Sequence, residues 1–550
     1  MCGILALLNT NVGYITFKEQ LSRLNHRGPD ASGSAQTENA YIGHTRLSIV
    51  DPESGAQPFQ TDNGTILTVN GEIYNHEVLN SMHTAVCKTR SDCESIAHIY
   101  DHVQSDTGIS ESNKLKAVCC FLDGVYAFVL VDGTQHFAAR DPLGVIPLYY
   151  GYKKGGGVAF ASEIKALLGI VDFVAEFPPG YYYHNNGNGG GFAQFFNPTW
   201  KLKPGRNWQA PNDFNDGLEL GKTLISAVKK RMMSDVPWGV LLSGGLDSSI
   251  IAAIAARESA APINTFAIGL EGSPDLEAAE VMAKHIKSNH RSYPFTVEEA
   301  LSALPEVIRH LETYDVTTIR AGTPMYLLAR RIKATGVKMV LSGEGADELF
   351  GGYMYFHNCP NETELYFETQ RKVLDLHYYD CLRANKAMSA WGVECRVPFL
   401  DMDMVDYSMG IHPGLKMPSE TRIEKHILRE TFCPMLPESI CWRQKEQFSD
   451  GVGYKWIDSL KSMSEQSLSW KLWRKRALMF PWHTPRTYEA MYYRMYFDKY
   501  FNIPGAVSMV PYGKSCACSS AEATQWRGNE IDDASGRSVK NHIKSVKKLK

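Results

Sequence analysis

One heptapeptide restricts this chain more than any other stretch: Ser243-Gly244-Gly245-Leu246-Asp247-Ser248-Ser249, set directly after the apolar run Gly239-Val240-Leu241-Leu242. The order predicts a strand, a tight loop and a helix capped by Ser248 or Ser249 and continued through the apolar residues 250–256. Glycines let backbone approach an anion closely, and the free N–H groups of a helix N-terminus favour negative charge, so the loop is built to cradle phosphate. It lacks the Gly-Lys-Ser/Thr ending that grips β and γ phosphates, which argues against kinase or GTPase chemistry.

Around the loop, helical and strand patterns alternate. A helix is expected over residues 217–233, strands at residues 265–269, 292–295 and 337–341, and a helix over residues 276–287. This alternation predicts a doubly wound parallel sheet with its ligand at the C-terminal strand ends. The strand at 337–341 delivers Ser342-Gly343-Glu344-Gly345-Ala346-Asp347-Glu348, three carboxylates in five residues. Such a turn would repel phosphate unless cations intervened, which implies magnesium.

The first half reads differently. Residues 3–8, 124–131 and 158–162 predict strands, a helix is expected to begin near Ser162, and residues 181–183 and 192–196 flank a Gly/Asn-rich hairpin tip. Residues 197–215, rich in Pro, Asn and Trp without periodicity, mark the boundary between halves. Cys2 opens this half. If Met1 is removed, its thiol and α-amino group share one carbon, and an amine with a reference pKa of about 7.7–8.0 is a suitable base for that thiol. If Met1 stays, the Cys2 nitrogen is an amide and that chemistry is lost.

The loops following Cys2 carry His26-Arg27-Gly28-Pro29-Asp30, Arg46-Leu47-Ser48-Ile49-Val50, Asn70-Gly71-Glu72 and Arg90-Ser91-Asp92. With these, the N-terminal half resembles the class II glutamine amidotransferases. The resemblance implies an Ntn-hydrolase αββα sandwich over residues 2–196 and glutamine binding by Arg46, Leu47, Ser48, Ile49, Val50, Asn70, Gly71, Glu72 and Asp92. Arg46 offers a planar fork for the α-carboxylate, and Glu72 and Asp92 offer charge for the α-ammonium. The Asn70 amide and the Gly71 N–H can donate to the oxyanion formed when Cys2 attacks.

Both halves together, with residues 312–320, 342–347 and Lys445, resemble the glutamine-hydrolysing asparagine synthetases of the B type. That resemblance implies a PP-loop ATP-pyrophosphatase domain over residues 216–525 and a tail over residues 526–550. Leu242, Ser243, Gly244, Gly245, Ser248, Ile268, Ser342 and Gly343 would contact ATP, and Asp247 and Asp347 would hold magnesium with pyrophosphate. Glu344 would place the intermediate and accept a proton, and Lys445 would stabilise charge at phosphorus. The substrates implied are L-aspartate, L-glutamine and ATP, and the family suggests a homodimer. Relatives that close β-lactam rings have lost the glutaminase function, whereas Cys2, Arg46, Asn70 and Asp92 are intact here.

Composition adds exclusions. A net charge of −3 gives no field for nucleic acid or anionic membrane, which disfavours a kinship with tRNA-modifying enzymes that use similar loops. The 12 cysteines are scattered without Cys-x-x-Cys pairs, as in a reduced cytoplasmic protein. No apolar run reaches membrane-spanning length, and the basic run at residues 540–550 reads as a disordered tail.

Overall fold

The computed structural model describes residues 1–82, 87–185, 190–201, 217–453 and 455–526. The hairpin tip, most of the expected 197–215 boundary and nearly all of the 526–550 tail lie outside the described residues.

The first half is two six-stranded antiparallel sheets. One runs Phe173–Glu176, Tyr149–Tyr152, Val158–Ala161, Gly3–Leu8, Ala40–Arg46, Ala31–Gln36. The other runs Gly190–Gln194, Tyr181–Asn185, Gln135–Arg140, Gly124–Asp132, Ile66–Ile73, Phe59–Gln60. Gly124–Asp132 shows why they stack. Its side chains alternate, so Val125, Ala127, Val129 and Val131 join the core shared with the first sheet, while Tyr126, Phe128 and Leu130 face a second core with Ile96, Ile99 and Val103 of helix Ser95–Ser105. On the first sheet, Phe17 and Leu21 of helix Tyr14–Ser22 close over Gly43 so tightly that a Cβ there would lie 2.7 Å from Leu21. The layers are helix, sheet, sheet, helix.

Gly3–Leu8 sits in the middle of the first sheet, between Ala40–Arg46 and Val158–Ala161, and all six residues are buried. Cys2 is therefore delivered by a central strand and not by a loose terminus. Where a helix was expected to begin near Ser162, there is only a 3-10 turn, Ile164–Ala166. The backbone there is diverted because the N–H groups of Ile164 and Lys165 donate to Glu312, at 2.8 and 2.9 Å.

The second half carries a five-stranded parallel sheet in the order Asn289–Pro294, Asn264–Gly269, Trp238–Leu241, Met339–Leu341, Glu394–Arg396. The chain winds outward from Trp238–Leu241 in one direction and then returns to start again on its other side. With right-handed crossovers that reversal covers both faces with helices and leaves a crevice between the C-terminal ends of Trp238–Leu241 and Met339–Leu341. Those two strands carry the glycine-rich loop and the acidic turn.

The halves are joined through buried charge. Glu312 and Lys386, both fully buried, pair at 2.7 Å, and Glu312 also meets Lys165 at 3.2 Å. Fully buried Arg27 donates to Glu163 at 2.7 Å, Ser389 at 3.0 Å and Asn385 at 2.9 Å. Trp200, inside the stretch expected to be a linker, is buried and donates to Asp406 at 2.8 Å, which ties residues 199–201 to the second half. Replacing Glu312 with Gln sets amide hydrogens against the donors it now accepts from. Glu312→Gln is expected to destabilise the folded protein by on the order of 3 kcal/mol, read as a lowered midpoint in thermal unfolding followed by circular dichroism.

Candidate active sites

Cys2 lies where its sheet meets the loops. The Leu47 N–H donates to Cys2 Sγ at 3.5 Å, and the Cys2 carbonyl accepts from Arg27 Nε at 2.8 Å. Burial pushes the Cys2 thiol up, offset by the nearby N-terminal ammonium and the Leu47 N–H. That ammonium belongs to Met1, which is buried and pairs with Glu394 at 3.1 Å.

Strand Ile66–Ile73 packs against Gly3–Leu8 and carries Asn70, Gly71 and Glu72. Asn70 is fully buried, yet both polar atoms of its side chain have no partner among the described residues. A buried amide left unpaired costs stability, so its unmet polar atoms, on a strand packed against the one that follows Cys2, are available to a ligand. Gly71 admits no side chain, since a Cβ would stand 2.2 Å from the Val125 carbonyl oxygen. Asp92 accepts the Ile73 N–H at 2.7 Å, and burial raises its carboxyl.

Two expected glutamine contacts are engaged elsewhere. The Arg46 guanidinium donates to the carbonyls of Pro52 and Val50, both at 3.2 Å, and of Asp51 at 2.5 Å, so it braces the loop that contains Ser48, Ile49 and Val50. Glu72 pairs with Arg396 of the second half at 2.9 Å, and Arg396 also holds Glu394 at 2.6 Å. Burial drives the Glu72 carboxyl well up even with Arg396 beside it.

The second site opens at the crevice of the parallel sheet. The helix begins at Leu246, capped by the Gly245 backbone, and not at Ser248 or Ser249 as its sequence suggested. Ser248 instead turns inward, donating to the Gly245 carbonyl at 3.2 Å and lying 3.1 Å from Ser243 Oγ. Hydroxyls that bond within the loop leave the first helical N–H groups to a ligand. Gly244 has φ +71°, and a Cβ there would come within 2.4 Å of the Ala278 carbonyl carbon, so it faces the neighbouring helix while its neighbours face the crevice. A Cβ on Gly343 would lie 2.8 Å from the Ser248 nitrogen, which shows how closely the acidic turn meets the glycine-rich loop.

One cavity collects Leu242, Ser243, Gly245, Asp247, Ser248 and Ile268 with Ser342, Gly343, Glu344, Asp347 and Lys445. Asp247 and Asp347 face each other across two lysines. Lys425 Nζ lies 2.5 Å from each carboxylate, and Lys445 Nζ lies 2.5 Å from Asp347 and 3.9 Å from Asp247. Burial would raise Asp347, but the two lysines hold its carboxyl far below the usual range. Glu344 pairs with Arg383 at 2.8 Å, and Arg383 with Asp380 at 2.7 Å.

Lys425 escaped sequence reading, and the stretch at residues 379–386 that contains Asp380 and Arg383 joined the resemblance without a role for either. Lys425 sits in Glu424-Lys425-His426, an ordinary polar stretch, and only a left-handed backbone at φ 57° turns it into the cavity. Asp247 Oδ1 is buried without a hydrogen-bond partner. Two carboxylates beside a phosphate loop fit magnesium, which takes one or two protein carboxylates and completes its shell with phosphate oxygens and water.

Against known proteins, residues 219–371 and 359–492 match the asparagine synthase family model, and residues 1–213 match the glutamine amidotransferase domain model. Asparagine synthetase B [glutamine-hydrolyzing] of Escherichia coli is 46% identical over 100% of both chains. The chain belongs to the asparagine synthetase family. Asparagine synthetase [glutamine-hydrolyzing] of Zea mays is likewise 46% identical, over 98% of this chain and 94% of that one. A solved glutamine phosphoribosylpyrophosphate amidotransferase from B. subtilis is 18% identical with a TM-score of 0.32, covering 62% of this chain and 81% of that one. That likeness is too loose to bear on either site.

Within this asparagine synthetase framework, Lys425 is a buried cation of the cavity, 1% exposed and touching both aspartates. Lys425→Met is expected to lower ATP–pyrophosphate exchange by at least about tenfold while leaving glutamine hydrolysis at its original rate, as measured by labelled-pyrophosphate exchange and glutamate release.

Proposed function

We propose that this chain makes L-asparagine from L-aspartate, with L-glutamine as nitrogen donor and ATP converted to AMP and pyrophosphate. The observation that carries this reading is the pairing, in one chain with a buried polar interface, of Cys2 with an unpartnered Asn70 amide on the strand packed against Gly3–Leu8, and of a glycine-rich loop with Lys425 and Lys445.

At the first site the Cys2 thiol attacks the glutamine amide carbon. With Met1 removed, the freed α-amine takes the thiol proton and passes it to the departing ammonia. The Asn70 amide and the Gly71 N–H receive the oxyanion, and water then releases glutamate from the thioester. Asp92 offers its carboxyl toward the glutamine ammonium, Glu72 stays paired with Arg396, and Arg46 shapes the loop across the glutamine carboxylate.

At the second site the phosphates of ATP lie on residues 243–248, with Leu242 and Ile268 against the nucleoside. Asp247 and Asp347 would hold magnesium together with the pyrophosphate, and the ion when bound would neutralise phosphate charge. Lys445 and Lys425 exchange their carboxylate partners for phosphate oxygens as the substrate enters. The aspartate β-carboxylate attacks the α-phosphorus, giving β-aspartyl-AMP. Ammonia then adds to the acyl carbon and AMP leaves. Glu344 accepts the proton shed by the attacking nitrogen, and Arg383 fixes the orientation of that carboxylate.

This reading extends to a cytoplasmic enzyme, supported by free cysteines at all 12 positions, and to a homodimer, for which family resemblance is the support. Among the described residues no helix is long and apolar enough to cross a membrane.

Incubating the protein with ATP, aspartate and glutamine is expected to yield asparagine, AMP, pyrophosphate and glutamate by mass spectrometry; ADP in place of AMP would refute adenylation. Cys2→Ala is expected to abolish asparagine formation from glutamine and to preserve it from ammonium chloride.

A further inference from the structure

The C-terminal part of the chain returns to the synthetase cavity. After helix Tyr488–Tyr500 it crosses the surface, stacks Tyr512 on His483 with ring centroids 4.6 Å apart, and enters a tight turn at residues 516–519. There the Ser519 N–H donates to the Cys516 carbonyl at 2.9 Å and the Cys516 N–H to Ser519 Oγ at 3.0 Å. Past the turn, Trp526 packs against Tyr355 and Phe356, at 5.9 and 6.2 Å between centroids.

Ala517 and Cys518 line the same cavity as Glu344, Asp347 and Arg383. Both are non-glycine residues in the left-handed region, at φ 50° and 59°, a conformation that persists only where surrounding contacts over-determine it. Those contacts are specific. The Ala517 carbonyl accepts from Lys372 Nζ at 2.6 Å, and the Cys518 carbonyl from Arg371 at 2.8 Å. Lys372 is buried, with Nζ 4.0 Å from the centre of the Tyr353 ring. The Tyr353 hydroxyl donates to Asp380 at 3.0 Å, and Asp380 leads through Arg383 to Glu344. Neither Arg371 nor Lys372 lines the cavity itself. What the turn brings to the cavity wall is a methyl group, a thiol that burial keeps protonated, and carbonyls already engaged. It therefore offers no base and no charge to a ligand.

We propose that the turn at residues 516–519 is the water-excluding wall of the synthetase cavity, seated by Arg371 and Lys372 as positioning residues. The inference rests on the adenylation chemistry proposed above. A β-aspartyl-AMP intermediate is open to water as well as to ammonia. In the leak, a water oxygen bonds to the acyl carbon, the bond from that carbon to the phosphate oxygen breaks, a proton goes to solvent, and aspartate and AMP result. Pyrophosphate has already left, so each leak consumes one ATP without forming asparagine. A neutral wall over Glu344 and Arg383 keeps water from that carbon while ammonia arrives from the other half of the protein.

The test compares the full-length protein with Arg371→Met and with a chain ending at Tyr512, each given ATP, aspartate and saturating ammonium chloride. The ratio of pyrophosphate released to asparagine formed is expected to rise by at least about threefold in both variants, with glutaminase activity unchanged. Should the shortened chain not fold, Arg371→Met alone decides. A lower overall rate at an unchanged ratio would overturn the wall, because a merely structural defect slows both products equally. Full-length protein that makes no asparagine at all would instead overturn the proposed reaction, and the wall with it.

Discussion

The arrangement of the whole molecule depends on keeping a few buried charges fully paired. Glu312 accepts from two backbone N–H groups and from Lys386, with Lys165 also in contact. Removing each ion from water costs several kcal/mol, so the cluster persists only where every lone pair is met. Its donors come from both halves of the chain, so any other docking of the halves would strand a charge. Burial alone would raise Glu163, but Lys165, His26 and Arg27 hold its carboxyl well down, and the same requirement applies there. Charge pairing thus sets the geometry between the sites more than it adds stability.

Helix Asp380–Ser389 transmits that geometry. Its C-terminal half presents Asn385, Lys386 and Ser389 to Arg27, Glu312 and the first half. Its first turn presents Asp380 and Arg383 to the synthetase cavity. Arg27 in turn holds the Cys2 carbonyl. A helix of this length is about 15 Å long and rigid, so residues that hold Cys2 and residues that hold Glu344 share one support. At the phosphate site, the same economy of charge appears in another form. Asp247 and Asp347 pair with Lys425 and Lys445, and in the reaction proposed above these pairs would be exchanged for phosphate oxygens and magnesium.

Much of this was legible in the sequence where chemistry is local. The parallel sheet followed from alternating patterns, and the two loops at its crevice followed from glycines, hydroxyls and carboxylates placed directly after apolar runs. The three strands read in the first half lie where expected, within a residue or so at their ends. What local pattern does not show has a common physical origin. The helix expected near Ser162 gives way to a 3-10 turn because Glu312, about 150 residues away, captures its first N–H groups. Lys425 looks like a surface lysine until a left-handed backbone turns it inward. Glu72 and Arg46 carry the right groups for glutamine, yet their present partners, Arg396 and the carbonyls of residues 50–52, follow from tertiary packing that no local pattern encodes.

The turn at residues 516–519 belongs to the same class. Cys516-Ala517-Cys518 reads as an unremarkable pair of thiols, and its role emerges only from two consecutive left-handed residues held by Arg371 and Lys372. The chemistry explains why a wall is wanted at one site in particular. In the reaction proposed above, a thioester at Cys2 must meet water to release glutamate, whereas an acyl-adenylate must avoid it until ammonia arrives. Two intermediates of similar reactivity with opposite needs for water can share a chain only if their pockets differ in enclosure. A C-terminal segment that walls one pocket provides that difference without altering the charged interface that positions the two halves.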